Sequence, residues 1–286
     1  IHNPYIIFSL IMISAGILIS IFIYMNKYKE KILKPVVFSL IIVDLYVYGS
    51  YGSGFTNMAS LNYIQRPSAE ILNVLKSDNS FFRIMPFDLL DNNMPQWVKP
   101  NANMLYNIDS IAAYTPLVNS NYKSELSPLE VVDDSLGFLH PAAGALAEKY
   151  QALRLLNVKY IISAKRIDAG FLKNVTSNGN IFIYEVSDYL PRIFFTINID
   201  SIISVSPAEY FKIIEYKDGF AKVELKTGTE GFLVLSENYF AGWSAYVDGV
   251  KTKPMLVKNL IQAVKLEKGP HAVIFKYNPV YYTGKK

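Results

Sequence analysis

Cysteine is absent from the 286 residues of the chain. Its absence excludes disulfide bonds and thiolate metal sites, and it argues against thiol redox chemistry. Histidine is scarce, because the sequence has only His2, His140 and His271, which lie far apart along the chain. Transition-metal sites usually need clustered histidine or cysteine, so we expect no metal site and no cofactor.

Basic residues are not concentrated anywhere in the sequence. There are 28 lysines and arginines against 24 aspartates and glutamates, which gives a formal net charge of +4 spread along the chain. Nucleic-acid-binding chains usually carry a basic block, so we expect no nucleic-acid partner. The sequence also lacks a glycine-rich phosphate loop, an HExxH helix and a GxSxG turn, and it therefore identifies no catalytic residue.

Apolar residues are concentrated near the beginning of the chain. Residues 4–25 form a run of about 22 positions without a charge, long enough for a helix to cross roughly 30 Å of hydrocarbon. A lysine-rich loop at 27–34 and a second apolar stretch at 35–48 follow. Because basic loops tend to stay in the cytoplasm, we expect a multi-pass cell-membrane protein whose large region after Gly54 is extracytoplasmic.

The second apolar stretch contains an ionisable residue, Asp44. A span that includes Asp44 requires neighbouring helices or water around the carboxylate, because a charge in lipid is costly. Alternatively, the helix leaves the bilayer near Asp44, and Tyr46, Tyr48 and Tyr51 lie at the interface. Because the sequence begins at Ile1 without a basic segment before its apolar run, we expect it to be a fragment of a longer protein.

The region 55–190 mixes helical and strand patterns. The spacing of its apolar residues predicts a helix at 68–77 with Ser68 as N-cap, and another helix at 141–157. Residues 88–127 are rich in asparagine and have no sustained periodicity, a pattern typical of functional loops. The strands predicted from short apolar runs in this region are 81–87, 157–163 and 182–186.

Short alternating segments separated by turn residues fill about the last 70 residues, and an apolar strand pattern occurs at 192–198. Together they predict an antiparallel β-sandwich over 191–286. Asp248-Gly249 predicts a two-residue type I′ hairpin, because both residues tolerate positive φ angles. We expect Gly269 to close a second hairpin. The predicted fold class is a membrane α-helical N-terminal part plus an extracytoplasmic α+β region ending in an antiparallel β-sandwich. The predicted parts are residues 1–54, 55–190 and 191–286.

An asparagine- and tyrosine-rich segment within the irregular stretch is the candidate ligand-binding site. Amide groups suit sugar hydroxyls, and aromatic rings suit the faces of pyranoses. Alternatively, the asparagine side chains bond the backbone of their own loop. Arg83 and Arg154 carry the planar fork that binds phosphate, or else they belong to ordinary ion pairs. The candidate substrate-binding residues are Asn101, Asn103, Tyr106 and Tyr114, together with Asn107.

The end of the sequence resembles a known family. Residues 233–255, LVLSENYFAGWSAYVDGVKTKPM, and 260–280, LIQAVKLEKGPHAVIFKYNPV, resemble the C-terminal region of the bacterial YfhO family of polytopic membrane proteins. The pairs Gly242-Trp243 and Asp248-Gly249 carry most of the resemblance. Residues 101–117 and 155–163 are also similar to that family. The departures are Ala241, where proline is usual, and Ala113, where glycine is common.

The resemblance implies a multi-spanning glycosyltransferase of the GT-C type. Such an enzyme takes a sugar from a polyprenyl-phosphate donor in the membrane lipid and transfers it to a cell-envelope polymer such as lipoteichoic acid. Its catalytic carboxylate is expected on an early external loop, which would lie upstream of residue 1. The implied partners are therefore membrane lipid, the lipid-linked sugar donor and a teichoic-acid acceptor.

Two other classes of protein remain open from the sequence. One is a noncatalytic, membrane-anchored envelope module that binds carbohydrate. The other is a transporter subunit, which the ionisable Asp44 in an apolar stretch would suit.

Overall fold

The structure is a computed structural model. It describes residues 35, 38–39, 41–43, 66–87, 91, 93–99, 101–112, 120–126, 145–201 and 204–278. The chain divides into two compact units, Ile1–Ile64 and Gln65–Lys286. The predicted span at 4–25, the lysine-rich loop and Asp44 lie outside the described residues. In the part that the structure does describe, no helix combines the length and the apolarity needed to cross a bilayer.

The described part of the second unit is rich in β-structure, with strands in three sheets and a few short helices. The helices are Ala69–Ser77, Ser120–Leu126, Ala145–Glu148 and Tyr150–Leu155, with 3₁₀ turns at Gln96–Val98 and Ala102–Tyr106. The strands are β1 (Arg83–Phe87), β2 (Val158–Ser163), β3 (Leu172–Asn178), β4 (Ile181–Val186), β5 (Ile193–Thr196), β6 (Tyr210–Lys217), β7 (Phe220–Thr227), β8 (Gly231–Leu235), β9 (Trp243–Val247), β10 (Val250–Thr252), β11 (Met255–Val257), β12 (Ile261–Leu266) and β13 (Gly269–Tyr277).

The first sheet has the strand order β1-β2-β4-β3, with β1 and β2 parallel and the other neighbours antiparallel. Its strands β1, β2 and β4 confirm the predictions made from apolar runs. The predicted helix at 68–77 is also confirmed: Ser68 accepts a hydrogen bond from the backbone N–H of Ile71 at 3.3 Å and so caps the helix. The helix buries Ile71 and Leu75, which are four residues apart and therefore share one face.

The other two sheets pack face to face, as in a β-sandwich. The middle sheet has the order β11-β12-β8-β5, and the outer sheet has the order β10-β9-β13-β7-β6. Alternate residues of both sheets meet in one buried cluster, because successive side chains of a strand point to opposite faces. Phe195 and Leu233 come from the middle sheet, and Val223, Ala245 and Phe275 come from the outer sheet.

Both faces of the middle sheet are covered. The residues that alternate with the sandwich core, including Phe194, Val234 and Ala263, belong to a second buried cluster that also holds residues of the first sheet. The predicted boundary at residue 190 falls on Leu190, which is buried in this second cluster. Hydrophobic packing is therefore continuous across the three sheets.

Two turns in the sandwich test the hairpin predictions. Asp248 and Gly249 have φ angles of 53° and 83° and connect the paired strands β9 and β10, which confirms the type I′ hairpin. The hairpin expected at Gly269 is wrong, because β12 belongs to the middle sheet and β13 to the outer sheet. Alternating polarity identifies a strand, but it does not identify the partner of that strand.

Gly242 lies at a close approach of two chain segments. Its φ angle is 116°, and a Cβ there would clash with the backbone carbonyl oxygen of Asn278. The glycine thus lets the chain enter β9 beside the end of β13. Trp243 follows it and packs on Tyr277, with the ring centroids 5.4 Å apart.

His271 connects the start of β13 to the β9–β10 turn. Its Nδ1 lies 2.7 Å from the Asp248 carboxylate, and its Nε2 lies 2.9 Å from the Glu267 carbonyl oxygen. Both neighbours are acceptors, so both ring nitrogens carry a proton when the two bonds are formed. Burial alone would lower the pKa of His271, but these two acceptors outweigh it and raise the pKa.

We predict that this contact makes stability depend on pH above about 6.5. A folded-state pKa above the unfolded value of about 6.5 means that the stabilisation is complete below that value and is lost as pH rises through the folded pKa. The urea midpoint, followed by circular dichroism, should fall over that range in the wild type. The fall should be smaller in His271→Gln, and an identical fall in both proteins would contradict the prediction.

Candidate functional site

A cavity of about 390 Å³ lies in the second unit, within the roughly 300–1,000 Å³ range of small-molecule sites. One wall is the segment 101–112, which carries amide side chains and some apolar surface. The opposite wall consists of charged residues near the ends of strands. The lining residues of the segment are Asn101, Asn103, Met104, Asn107, Ile108, Asp109, Ser110 and Ala112, and those of the charged wall are Arg83, Arg192, Asp218 and Glu237.

Three asparagines shape the first wall. Asn101 and Asn107 flank the 3₁₀ turn Ala102–Tyr106 and have φ angles of 69° and 54°. Asparagine tolerates this left-handed conformation better than other residues with a side chain beyond Cβ. Asn103 is buried, and its Nδ2 donates to the Ile108 carbonyl oxygen at 2.5 Å, which folds the segment back on itself.

Arg192 forms the base of the charged wall and is only 2% exposed. Its guanidinium carries five N–H groups, and five acceptors surround it. Two of these acceptors are carboxylates, Glu237 Oε1 and Asp109 Oδ2, each at 2.8 Å. The other three acceptors are Asn157 Oδ1 at 2.8 Å, the Tyr216 hydroxyl at 2.9 Å and the Phe82 carbonyl oxygen at 3.3 Å.

Glu237 lies between two guanidinium groups. Its Oε2 accepts from Arg83 at 2.9 Å, while its Oε1 accepts from Arg192 and from the Tyr216 hydroxyl. Arg83 also donates to the carbonyl oxygens of Leu156 and Ser236. Burial alone would raise the pKa of Glu237, but the two guanidinium groups outweigh burial and lower it. Glu237 therefore stays ionised.

The two remaining carboxylates lie at the solvent side of the cavity. Asp109 uses Oδ2 to bind Arg192, and 61% of its side chain is exposed. Asp218 is exposed in the turn between β6 and β7. Among the described residues, Asp218 forms no ion pair or side-chain hydrogen bond. The cavity thus has fixed charges at its base and accessible carboxylate oxygens at its mouth.

Only some of the site residues predicted from the sequence line the cavity in the described part of the chain. Asn101 and Asn103 line the cavity together with Asn107. Tyr106 follows them but packs edge-on against the buried Trp97, with the ring centroids 6.4 Å apart, and is not a lining residue. Tyr114 lies outside the described residues.

The two arginines that the sequence analysis named as candidate phosphate ligands occupy different parts of the structure. Arg83 lines the cavity, where it is paired with Glu237. Arg154 is buried elsewhere, and its Nε donates to the Asp188 carbonyl oxygen at 2.6 Å. Of the two, only Arg83 is near the candidate site.

Sequence reasoning missed Arg192, Glu237, Asp109 and Asp218. The available signal was a charge beside an apolar strand that is wholly or almost wholly buried: Arg192 comes directly before β5, and Glu237 comes two residues after β8. These strands are paired, with Ile193 opposite Leu235, so the two charges meet at one end of the middle sheet. That pairing is not visible in the sequence.

Comparisons with known proteins found no counterpart. No protein-family profile matches the chain, and searches of curated proteins and of solved structures found no similar protein. Within the described ranges, no group of three or more histidine or acidic side chains is placed to hold a metal ion. The chemistry of the site is therefore argued from its geometry.

We predict that Glu237→Gln destabilises the fold by about 3 kcal/mol, because removing one partner of an enclosed ion pair leaves a charge uncompensated. Arg83 then has no carboxylate partner among the described residues, and Arg192 keeps only Asp109. Denaturation by urea at neutral pH measures the loss. Since the pKa of Glu237 is lowered, its stabilising contribution is present above the unfolded value of about 4.3 and disappears as pH falls through the folded pKa.

The matched control is Glu230→Gln. Glu230 pairs with Lys265 at 3.3 Å, but 67% of its side chain is exposed, so the same substitution should cost less than about 1 kcal/mol. Equal losses for the two variants would show that the position of Glu237 between two arginines has no special effect on stability.

Proposed function

We propose that the chain is part of a membrane glycosyltransferase that moves a sugar from a lipid-phosphate-linked donor to a cell-envelope polymer such as lipoteichoic acid. The described region supplies the extracytoplasmic domain that recognises the acceptor. The resemblance to the YfhO family motivates the reaction class. The cavity between segment 101–112 and the charged wall is the observation that supports recognition of a carbohydrate.

The lining of the cavity suits a polyhydroxylated ligand. Amide groups of Asn101 and Asn107 both donate and accept hydrogen bonds, and carboxylates accept from hydroxyl groups. Met104 and Ala112 add apolar surface for the C–H face of a sugar ring. A few oriented polar groups beside apolar surface are the usual composition of a small-molecule site.

The carboxylate at the base of the cavity is not suited to catalysis. Glycosyl transfer needs a base or nucleophile with a free oxygen near the anomeric carbon. Glu237 is unsuited to this role, because both its oxygens are bonded to arginines and its pKa is lowered. Following the resemblance, we place the catalytic carboxylate in another part of the full protein.

A second candidate function is a noncatalytic carbohydrate-binding module of the envelope. The hydrogen bonds that Glu237 and one oxygen of Asp109 accept from Arg192 are compatible with this candidate as well, because binding needs no free base. The two functions differ in whether a lipid-linked sugar donor is consumed when acceptor is present.

We predict that the full chain binds neutral sugars and teichoic-acid fragments and that Asn107→Gly weakens this binding about fivefold, the effect of losing one hydrogen bond. Glycine keeps the positive φ angle of Asn107, so the backbone is preserved. Saturation-transfer NMR in a polyoxyethylene detergent measures binding without competition from sugar headgroups.

Asn259→Gly is the matched control for that measurement. Asn259 has a φ angle of 57° and does not line the cavity, so its replacement tests the same chemical change at another left-handed position. Affinity in this variant should equal that of the wild type. If the folded full chain binds none of these ligands, the recognition role is wrong.

We also predict that residues after Gly54 lie outside the cytoplasmic membrane and that the lysine-rich loop lies inside. The chain has no cysteine, so single cysteines introduced at Lys29 and at Asp168 can be labelled without background. In spheroplasts, a membrane-impermeant maleimide should label Asp168→Cys at once and Lys29→Cys only after permeabilisation. The reverse pattern would contradict the proposed topology.

A further inference from the structure

We propose that the ligand of the cavity is a hydroxyl-rich compound that carries a protonated amine, such as an amino sugar or an aminoacylated polyol. This inference rests on the proposed carbohydrate-binding function and names its substrate class. Three observations support it: the lining arginines are bonded to protein groups, carboxylate oxygens are accessible to a ligand, and the lining residues have a negative net charge.

The lining arginines are already committed to protein groups. All five N–H groups of Arg192 have acceptors within the protein, between 2.8 and 3.3 Å away. Arg83 uses three of its N–H groups on Glu237 and on two backbone carbonyl oxygens, and its charge is paired with Glu237. A phosphate or carboxylate ligand would find at most the two remaining N–H groups of Arg83 without displacing these bonds, so the cavity offers few donors to an anion.

Accessible acceptors remain at the mouth of the cavity. Asp109 uses one oxygen for Arg192, and no bond to its Oδ1 is present among the described residues. Asp218 lines the same cavity and is exposed. Since an ionised carboxylate only accepts hydrogen bonds, a ligand here must supply donors. Hydroxyl and ammonium groups are such donors.

The balance of charges favours an ammonium group among these donors. Two arginines and three acidic residues line the cavity, so its formal net charge is −1. Glu237 and Asp109 together balance the two arginines, so the uncompensated negative charge is that of Asp218. A ligand amine placed there gains Coulombic attraction that a neutral hydroxyl does not. At an exposed site the gain is about 1 kcal/mol, or about fivefold in affinity.

Four related sugars test the inference on the full chain in a polyoxyethylene detergent: glucosamine, N-acetylglucosamine, glucose and glucose 6-phosphate. Calorimetry at mildly acidic pH, where the amine is protonated, measures each dissociation constant. We expect glucosamine to bind about fivefold more tightly than glucose and N-acetylglucosamine, and glucose 6-phosphate to bind most weakly. The preference should shrink as salt is added, because these charges are exposed.

Asp218→Asn identifies the source of the preference. Asp218 has no described partner, so its replacement removes a charge without breaking an ion pair of the described fold. The variant should lose much of its preference for glucosamine over glucose, because the charge that distinguishes these two ligands is gone. The matched control is Asp168→Asn, which makes the same change at an exposed aspartate that does not line the cavity, and which should keep the full preference.

The outcomes separate this inference from the proposed function. Equal binding of glucosamine and glucose, or tighter binding of the phosphorylated sugar, overturns the amine preference while carbohydrate recognition stands. A preference for glucosamine that survives in Asp218→Asn and also in Asp109→Asn overturns the inference too, because the negative charge that attracts the amine would then belong to other residues. Failure of every sugar to bind the folded chain contradicts the proposed function, and the inference falls with it.

Discussion

The carboxylate of Glu237 holds the candidate site together. It accepts hydrogen bonds from Arg83 at the start of β1, from Arg192 before β5 and from Tyr216 on β6. These three donors belong to the first, middle and outer sheets, respectively. One partly buried charge therefore has partners in all three layers of β-structure. Such a group adds little net stability compared with apolar packing, but its removal is costly, because its partners are left without an opposite charge.

Whether a strand can be predicted from the sequence depends on whether side-chain burial or backbone pairing stabilises it. Strands of the middle sheet such as β5 are buried on both faces, and their apolar residues predict them directly. By contrast, β3 and β6 expose most of their residues and are held by backbone pairing to one neighbour. Their sequences carry no burial pattern, so they were not predicted. The pairing of β13 with β7 and β9 was missed for a related reason, since alternation does not encode the partner.

The candidate site was predictable only in part. Its asparagines stand out by composition, and the two interpretations of them are not exclusive: Asn103 bonds its own segment and also lines the cavity. The charged wall was not predictable, because Arg192 and Glu237 are 45 residues apart and meet only through strand pairing. Tyr106 is a different case. Its aromatic ring was assigned to a ligand, but it packs on Trp97 because a buried indole offers more apolar contact than solvent does.

The arrangement of the site favours binding with little rearrangement. The left-handed backbone at Asn101 and Asn107 fixes the direction of the segment, and the bonds of Arg192 fix the opposite wall. A ligand that supplies hydrogen-bond donors leaves those bonds intact, so little binding energy is spent on reorganising the protein. A ligand that brings its own negative charge finds every N–H group of Arg192 already bonded, and it meets the carboxylates of Glu237 and Asp109 beside that guanidinium. The ion pairs that order the fold thus also disfavour one class of ligand, so the same few residues affect both stability and selectivity.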